Sequence, residues 1–266
     1  MSDPYSSIAA QPSEVTDKLA GVLEMRAAQT EQTHLRDHLL MQKLHGSVLE
    51  IGAGTGAITR AIAALPSVTE VTGLDPSAAF LDAARANAGP KEIYVEGYST
   101  SLPVADASAD AVVLWTTLSH IPVEQHAESY AEILRVLKPG GVLHVFDNDL
   151  GSWEGRLHER DPLDVPVRAF LDLNADPLAL RKIPVALAAS GFEVGPYTVH
   201  TVVDEAEDTY GYQFIMLRGI DSFADKGIVG QPMIEAMKAE AARRVAAGEF
   251  RMVLGYGYVA AQKPSG

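Results

Sequence analysis

The chain predicts an α/β fold: a doubly wound, mostly parallel, seven-stranded Rossmann-like sheet with helical cap segments. Three observations carry this. Short runs dense in Val, Ile and Leu, at 48–51, 111–115 and 142–146, alternate with amphipathic segments of helical period. The runs lack polar alternation, as parallel strands covered on both faces should. One of them, 48–51, ends in three alternating glycines, Gly52, Gly54 and Gly56, and an apolar helix follows from Ala57.

Each element has its own signal. Residues before Glu14 are small and polar without a period and are expected to be mobile. From 15 to 44, Leu19, Val22, Leu23, Arg26, Leu35, Leu39, Leu40 and Leu44 fall near helical spacing. This segment precedes the first core strand, so it is either a helix on the sheet edge or a lid over a binding site. After the glycines come a helix closed by Pro66, a strand at 71–75 and a helix at 78–86 with Phe80, Leu81 and Ala84 inward. Strands at 93–96 and 110–115 follow, then a helix at 124–137 that Lys138-Pro139-Gly140-Gly141 breaks ahead of the strand at 142–146.

The second half is less regular. A stretch rich in Pro, Asp and Arg at 150–180 precedes a helix near 182–190, where Pro184 fits only in the first turn. A sixth strand lies at 197–203 and the last at 251–261. Between them, 204–250 is longer than a hairpin needs and contains Tyr210, Tyr212 and the apolar run 214–217. It ends in a helix begun by Pro232 and stopped by Gly248, with Ile234, Met237, Ala241 and Val245 as its buried face. Such extra apolar segments either pack on the core or build an acceptor pocket. The expected organisation is a helical lid at 1–45, a nucleotide-binding core at 46–150, and the rest of the same domain at 151–266 with a cap insertion at about 204–250.

Composition narrows the function. A chain of 266 residues with 47% hydrophobic content builds a full core. With 21 basic and 35 acidic residues its net charge is −14, which argues against nucleic acid or an anionic membrane as the main partner. Cysteine is absent, so disulfides, thiolate metal sites and a cysteine nucleophile are excluded. No signal peptide and no bilayer-length apolar run is visible, so a cytoplasmic protein without membrane insertion is the expectation, as monomer or homodimer. His34 and His38 share a helix face at metal-ligand spacing, but no third ligand is near, and no metal is expected.

The glycine turn is where chemistry enters. Glycine allows positive φ and close approach of a ligand, and the first N–H groups of the helix favour an electron-rich partner. A dinucleotide fingerprint reads G-x-G-x-x-G; here the spacing is G-x-G-x-G, with Glu50 two residues ahead of it. Asp75 closes the next strand, roughly twenty residues on, where an acid takes the two hydroxyls of a ribose. The residues E-I-G-A-G-T-G followed by G-L-D-P-S resemble the class I S-adenosylmethionine (SAM)-dependent methyltransferases. The likeness runs on through Asp110, Val112, Leu118, His120 and Ile121 to Lys138-Pro139-Gly140-Gly141. It covers about 48–149 and is nearest the branch with the ubiquinone and menaquinone C-methyltransferases and natural-product methyltransferases.

That resemblance implies SAM as cofactor, S-adenosylhomocysteine (SAH) as product, and a small-molecule acceptor. It implies Glu50, Gly52, Gly54, Gly56 and Asp75 as cofactor residues, Pro76 and Leu102 at the adenine, and Trp115 near the methionine part. The family acid that meets the adenine amino group is replaced by Tyr98, leaving Ser99 and Thr100 to serve. If the acceptor needs a base, the candidates are His120, at the carboxyl end of the fourth strand, and one of Asp147, Asn148 and Asp149 at that of the fifth, with Asp149 preferred. Structural roles compete for both: a histidine bonded to a backbone carbonyl, and a capping acid. The rivals are a SAM-fold binding protein or cyclase that no longer transfers methyl, and an NAD-dependent oxidoreductase, which the glycine spacing disfavours.

Overall fold

The computed structural model describes residues 5, 7–28, 30–172, 176–205, 227 and 229–266. A single turn at Ile8–Ala10 leads to α1 (Ser13–Ala27) and α2 (Thr30–Leu40). Then follow β1 (Gly46–Ile51), α3 (Ala57–Ala63), β2 (Val68–Asp75), α4 (Ala78–Arg85), β3 (Glu92–Glu96) and β4 (Ala109–Trp115). After two short turns come α5 (His126–Val136), β5 (Leu137–Glu154), α6 (Asp164–Leu171), α7 (Ala179–Ala189), β6 (Glu193–Val194), β7 (Thr198–Glu205), α8 (Gln231–Ala247) and β8 (Arg251–Gln262).

The sheet runs β3-β2-β1-β4-β5-β8-β6, with β7 also paired to β8. Strands β1 to β5 are parallel, and β8 is antiparallel to its neighbours. The order reverses between β1 and β4, so the crevice at their carboxyl ends is the place where an open α/β sheet binds ligands. One apolar layer, with Val48, Val113 and Phe146, packs under α2, α3 and α8; the other, with Leu49, Val112 and Leu143, packs under α5 and α7.

Several expectations change. The described residues form eight strands rather than seven, because Pro196 has no N–H to give β8 and splits the sixth into β6 and β7. β5 is far longer than 142–146, its ladder with β8 continuing past Asp149 to Glu154. Pro184 lies inside α7, not in its first turn; burial of Leu180, Ile183 and Leu187 keeps the helix across the missing donor. Val245 is 47% exposed, and Arg244, at 2%, turns inward with Ile234, Met237 and Ala241. Residues before Glu14 are not a loose tail over their described part: Ile8 is buried. Tyr210, Tyr212 and the run 214–217 lie outside the described residues.

Candidate functional site

The glycine turn is built by backbone demand. Gly52, Gly54 and Gly56 have φ of +79°, +53° and +81°. A Cβ on Gly52 would stand 2.3 Å from Thr117 Oγ1, and one on Gly56 2.4 Å from Tyr94 Oη. Only glycine lets β1 turn this close to the end of β4 and lets α3 settle on α4 and β3. The N–H groups of Gly52 and Ala53 donate to Leu74 O at 2.7 and 2.9 Å, which ties the turn to β2.

Asp75 completes the cradle. Its Oδ2 accepts from Gly54 N at 2.9 Å and its Oδ1 from Ser77 N at 2.9 Å. Burial, partly offset by those two bonds, pushes its carboxyl up to about 6. Burial also raises Glu50 to about 8, against the hydrogen bond it accepts from Thr59 Oγ1. Of the two, Glu50 is the harder to ionise and Asp75 the easier.

A cavity of about 200 Å³ opens over this crevice. Glu50, Gly52, Gly54, Asp75, Pro76 and Ser99 line it, and so do Trp115 and His120. Gly56, Thr100 and Leu102 do not. Gly56 is the residue before α3 and faces Tyr94. Leu102 is buried one layer back, in the cluster with Leu49, Ile51 and Leu74. Its loop is clamped from α5: Leu102 N donates to Glu132 Oε2 at 2.8 Å, and Arg135 donates to the carbonyls of Leu102 and Val104 at 2.9 Å each. Ser99 is fixed through its hydroxyl, 2.8 Å from that of Ser129.

The far side of the cavity begins at β4. Trp115 stacks on Phe146, centroids 4.4 Å apart. Thr116 takes a left-handed φ of +49°, a strained state for a β-branched residue, while its N–H donates to Phe146 O at 2.7 Å. His120 follows at the end of the Leu118–His120 turn. Behind that turn is Asp147, 1% exposed, which accepts from Ser119 N at 3.2 Å and Ser119 Oγ at 3.3 Å. Burial raises its carboxyl, and the nearby charge of His120 opposes the rise.

Asp149 does not reach the cavity; its Oδ1 accepts from Arg181 Nε at 2.7 Å. The reason is register. Phe146 is level with Trp115 at the end of β4, so Asp147, though not in the cavity lining, sits directly behind the Leu118–His120 turn, and Asp149 lies about 7 Å further along β5. His38 meets His200 at 4.2 Å between ring centroids, the side chain of His34 lies outside the described residues, and no cluster of three metal-ligating side chains occurs among the described residues.

The N-terminal residues supply what sequence reasoning missed. Tyr5, Ile8 and Arg36 line the cavity beside Leu23 and Arg26 of the expected helical segment, and the Tyr5 ring lies 4.8 Å from that of His120. Leu23 stands over Gly54, and Arg60 of α3 pairs with Glu24 of α1 at 3.2 Å. The amphipathic pattern of 15–44 signalled helices; nothing local signalled that Tyr5 and Ile8 would join them.

Residues 48–141 match a family model described as a methyltransferase domain. A probable methyltransferase, ltbC, of Aspergillus luteorubrus is 30% identical over 192 residues, which cover 66% of each chain. A demethylmenaquinone methyltransferase of Renibacterium salmoninarum is 37% identical over 98 residues, 37% of this chain and 39% of that one. The chain thus spans about two thirds of the first relative and about two fifths of the second. Among solved structures, a putative methyltransferase from an antibiotic biosynthesis pathway of Anabaena variabilis superposes with a TM-score of 0.64 at 19% identity, covering 89% of this chain and 98% of that one. No described helix is long and apolar enough to cross a membrane.

Proposed function

We propose that this chain, a member of the SAM-dependent methyltransferases by its methyltransferase domain at 48–141, moves a methyl group from SAM to a small, partly apolar acceptor. One observation carries the reading: Asp75, held by Gly54 at the switch point of the sheet, shares a single cavity with Trp115 and His120. The cavity fits the cofactor in chemistry, with a charged acid for ribose hydroxyls, a turn free of side chains and a flat apolar wall. When bound, SAM supplies an electrophilic methyl group on a sulfonium, open to in-line displacement.

The chain's residues divide the remaining work. Asp75 accepts from the ribose hydroxyls. Pro76, Phe80 and Ser99 enclose the adenine, with Leu102 and Thr100 supporting them from behind. Glu50 and Gly56 fix the turn, and Gly52 and Gly54 leave room for the methionine part beside Trp115. His120 takes the proton of the acceptor, and Asp147 steadies the cation that forms, while Asp149, the other candidate base, is left to its ion pair with Arg181. Residues 1–45 act as a lid that excludes water, 46–150 as the SAM-binding core, and 151–266 complete the sheet and cap. With a net charge of −14 the partner is a small molecule rather than nucleic acid; the setting is the cytoplasm, the assembly a monomer or homodimer.

Incubation with SAM and a panel of phenols, hydroxy acids and quinols tests this. SAH forms in proportion to methylated product if the reading holds. SAM binding with no SAH from any acceptor selects the rival, a ligand-binding protein or cyclase on the same fold.

A further inference from the structure

We propose that Arg36 makes the acceptor end of the cavity a receptor for an oxyanion, so that the molecule methylated carries a carboxylate or phosphate beside its apolar body. This rests on the methyltransferase reading and narrows its substrate class. Arg36 stands on α2 and lines the cavity. Its side chain is 30% exposed, while its Nε is buried and has no hydrogen-bond partner. Among described residues the one acid in ion-pair reach is its chain neighbour Asp37, 3.7 Å away and 60% exposed. A guanidinium with an N–H left without an acceptor is costly, and a planar oxyanion at the exposed edge of the group offers it paired, charge-assisted bonds. The cavity's own acids are engaged elsewhere: Glu50 with Thr59, Asp75 with Gly54 and Ser77.

Position separates this anion from the cofactor's own carboxylate. Leu23 of α1 stands over Gly54, so α1, with Arg26, roofs the glycine turn. α2 lies elsewhere. Leu35 and Leu39 are buried in the cluster that holds Trp115, Phe146 and Tyr256. The His38 ring lies 4.2 Å from His200 and 5.7 Å from Tyr258. α2 therefore reaches toward β7 and β8, on the side of Trp115 away from Asp75.

The test uses protein saturated with SAH and titrated calorimetrically with benzoate, phenyl phosphate and benzamide, alike in ring and different in charge. At least one anion binds about tenfold or more tighter than benzamide, Arg36→Ala removes the preference, and Arg36→Lys keeps part of it. Preference for benzoate alone marks a carboxylate, for phenyl phosphate alone a phosphate. Equal affinity for all three, binding of none, or an unchanged preference in a folded Arg36→Ala protein overturns the proposal. So does a loss of SAH affinity in that variant as large as its loss of anion affinity. Failure of the unaltered protein to take up SAH removes the methyltransferase reading itself, and is seen before any anion is added.

Discussion

The main-chain N–H of Gly54 donates to Asp75 Oδ2 at 2.9 Å, joining the middle glycine of the turn to the acid that ends β2. The same carboxyl receives Ser77 N, so it sets both the turn and the start of α4. Ribose hydroxyls bound by Asp75, as proposed, would use the lone pairs left over. Asp75→Ala is expected to lower SAH affinity by about tenfold or more, from the loss of a charged hydrogen bond worth ~1.5–3 kcal/mol. Unchanged affinity by calorimetry contradicts the assignment.

Acid pH provides a second check. Asp75 is pushed up to about 6 by burial. Cofactor hydroxyls favour its charged form, so SAH affinity is expected to hold above this value and to fall as pH drops through it. Asp75→Asn removes that step. A titration series from pH 8 to 5 with equal slopes for both proteins rules it out.

Glu50 should act on stability in the opposite sense. Its folded value, about 8, lies above the unfolded one, so ionising it penalises the fold. The penalty is absent below the unfolded value of 4.5 and grows until pH passes 8. The melting temperature of cofactor-free protein is expected to rise as pH is lowered from 9 to 6.5, less so in Glu50→Gln. Identical pH profiles of the two in thermal melts dismiss this.

His120→Ala is expected to lower kcat by about 10²- to 10⁴-fold with SAH affinity kept, the usual worth of a positioned base. Asp147→Asn should lower kcat less, since it removes a carboxylate behind the Leu118–His120 turn and leaves His120 in place. A kcat within about twofold of normal in His120→Ala, for an acceptor that must lose a proton, excludes the base role.

Away from the site, Arg244 and Asp161 form a buried ion pair that ties α8 to the loop ahead of α6. Arg244→Met leaves Asp161 buried without its partner and is expected to cost about 3–5 kcal/mol by denaturant unfolding. Adding Asp161→Asn, which removes the charge and keeps an acceptor for the N–H groups of Leu157 and Leu163, should recover part of that. No recovery means that the pair's worth lies in packing alone.

What was legible in the chain was what is local. The glycine spacing, the acid at 75 and the apolar runs of β1 to β5 each write their signal within a few residues. Side chains brought in over long range were not legible. Tyr5, Ile8 and Arg36 reach the cavity only because α1 and α2 fold back over the turn. Choosing between Asp147 and Asp149 required the register of β5 on β4, which no single strand carries. Helical period put Val245 inward, yet the ion pair with Asp161 gave that side to Arg244. The left-handed Thr116 has no glycine to announce it.

The contact between Tyr5 and His120 has a consequence for how the enzyme matures. A ribosome delivers the roof first and the wall it rests on much later, after β4. Until then those first helices rest only on the glycine turn, α3 and α4, and the Tyr5 end has no wall to meet. A nascent chain halted short of that wall leaves its roof ajar, and protease cuts at the N-terminal side should report when synthesis has passed it.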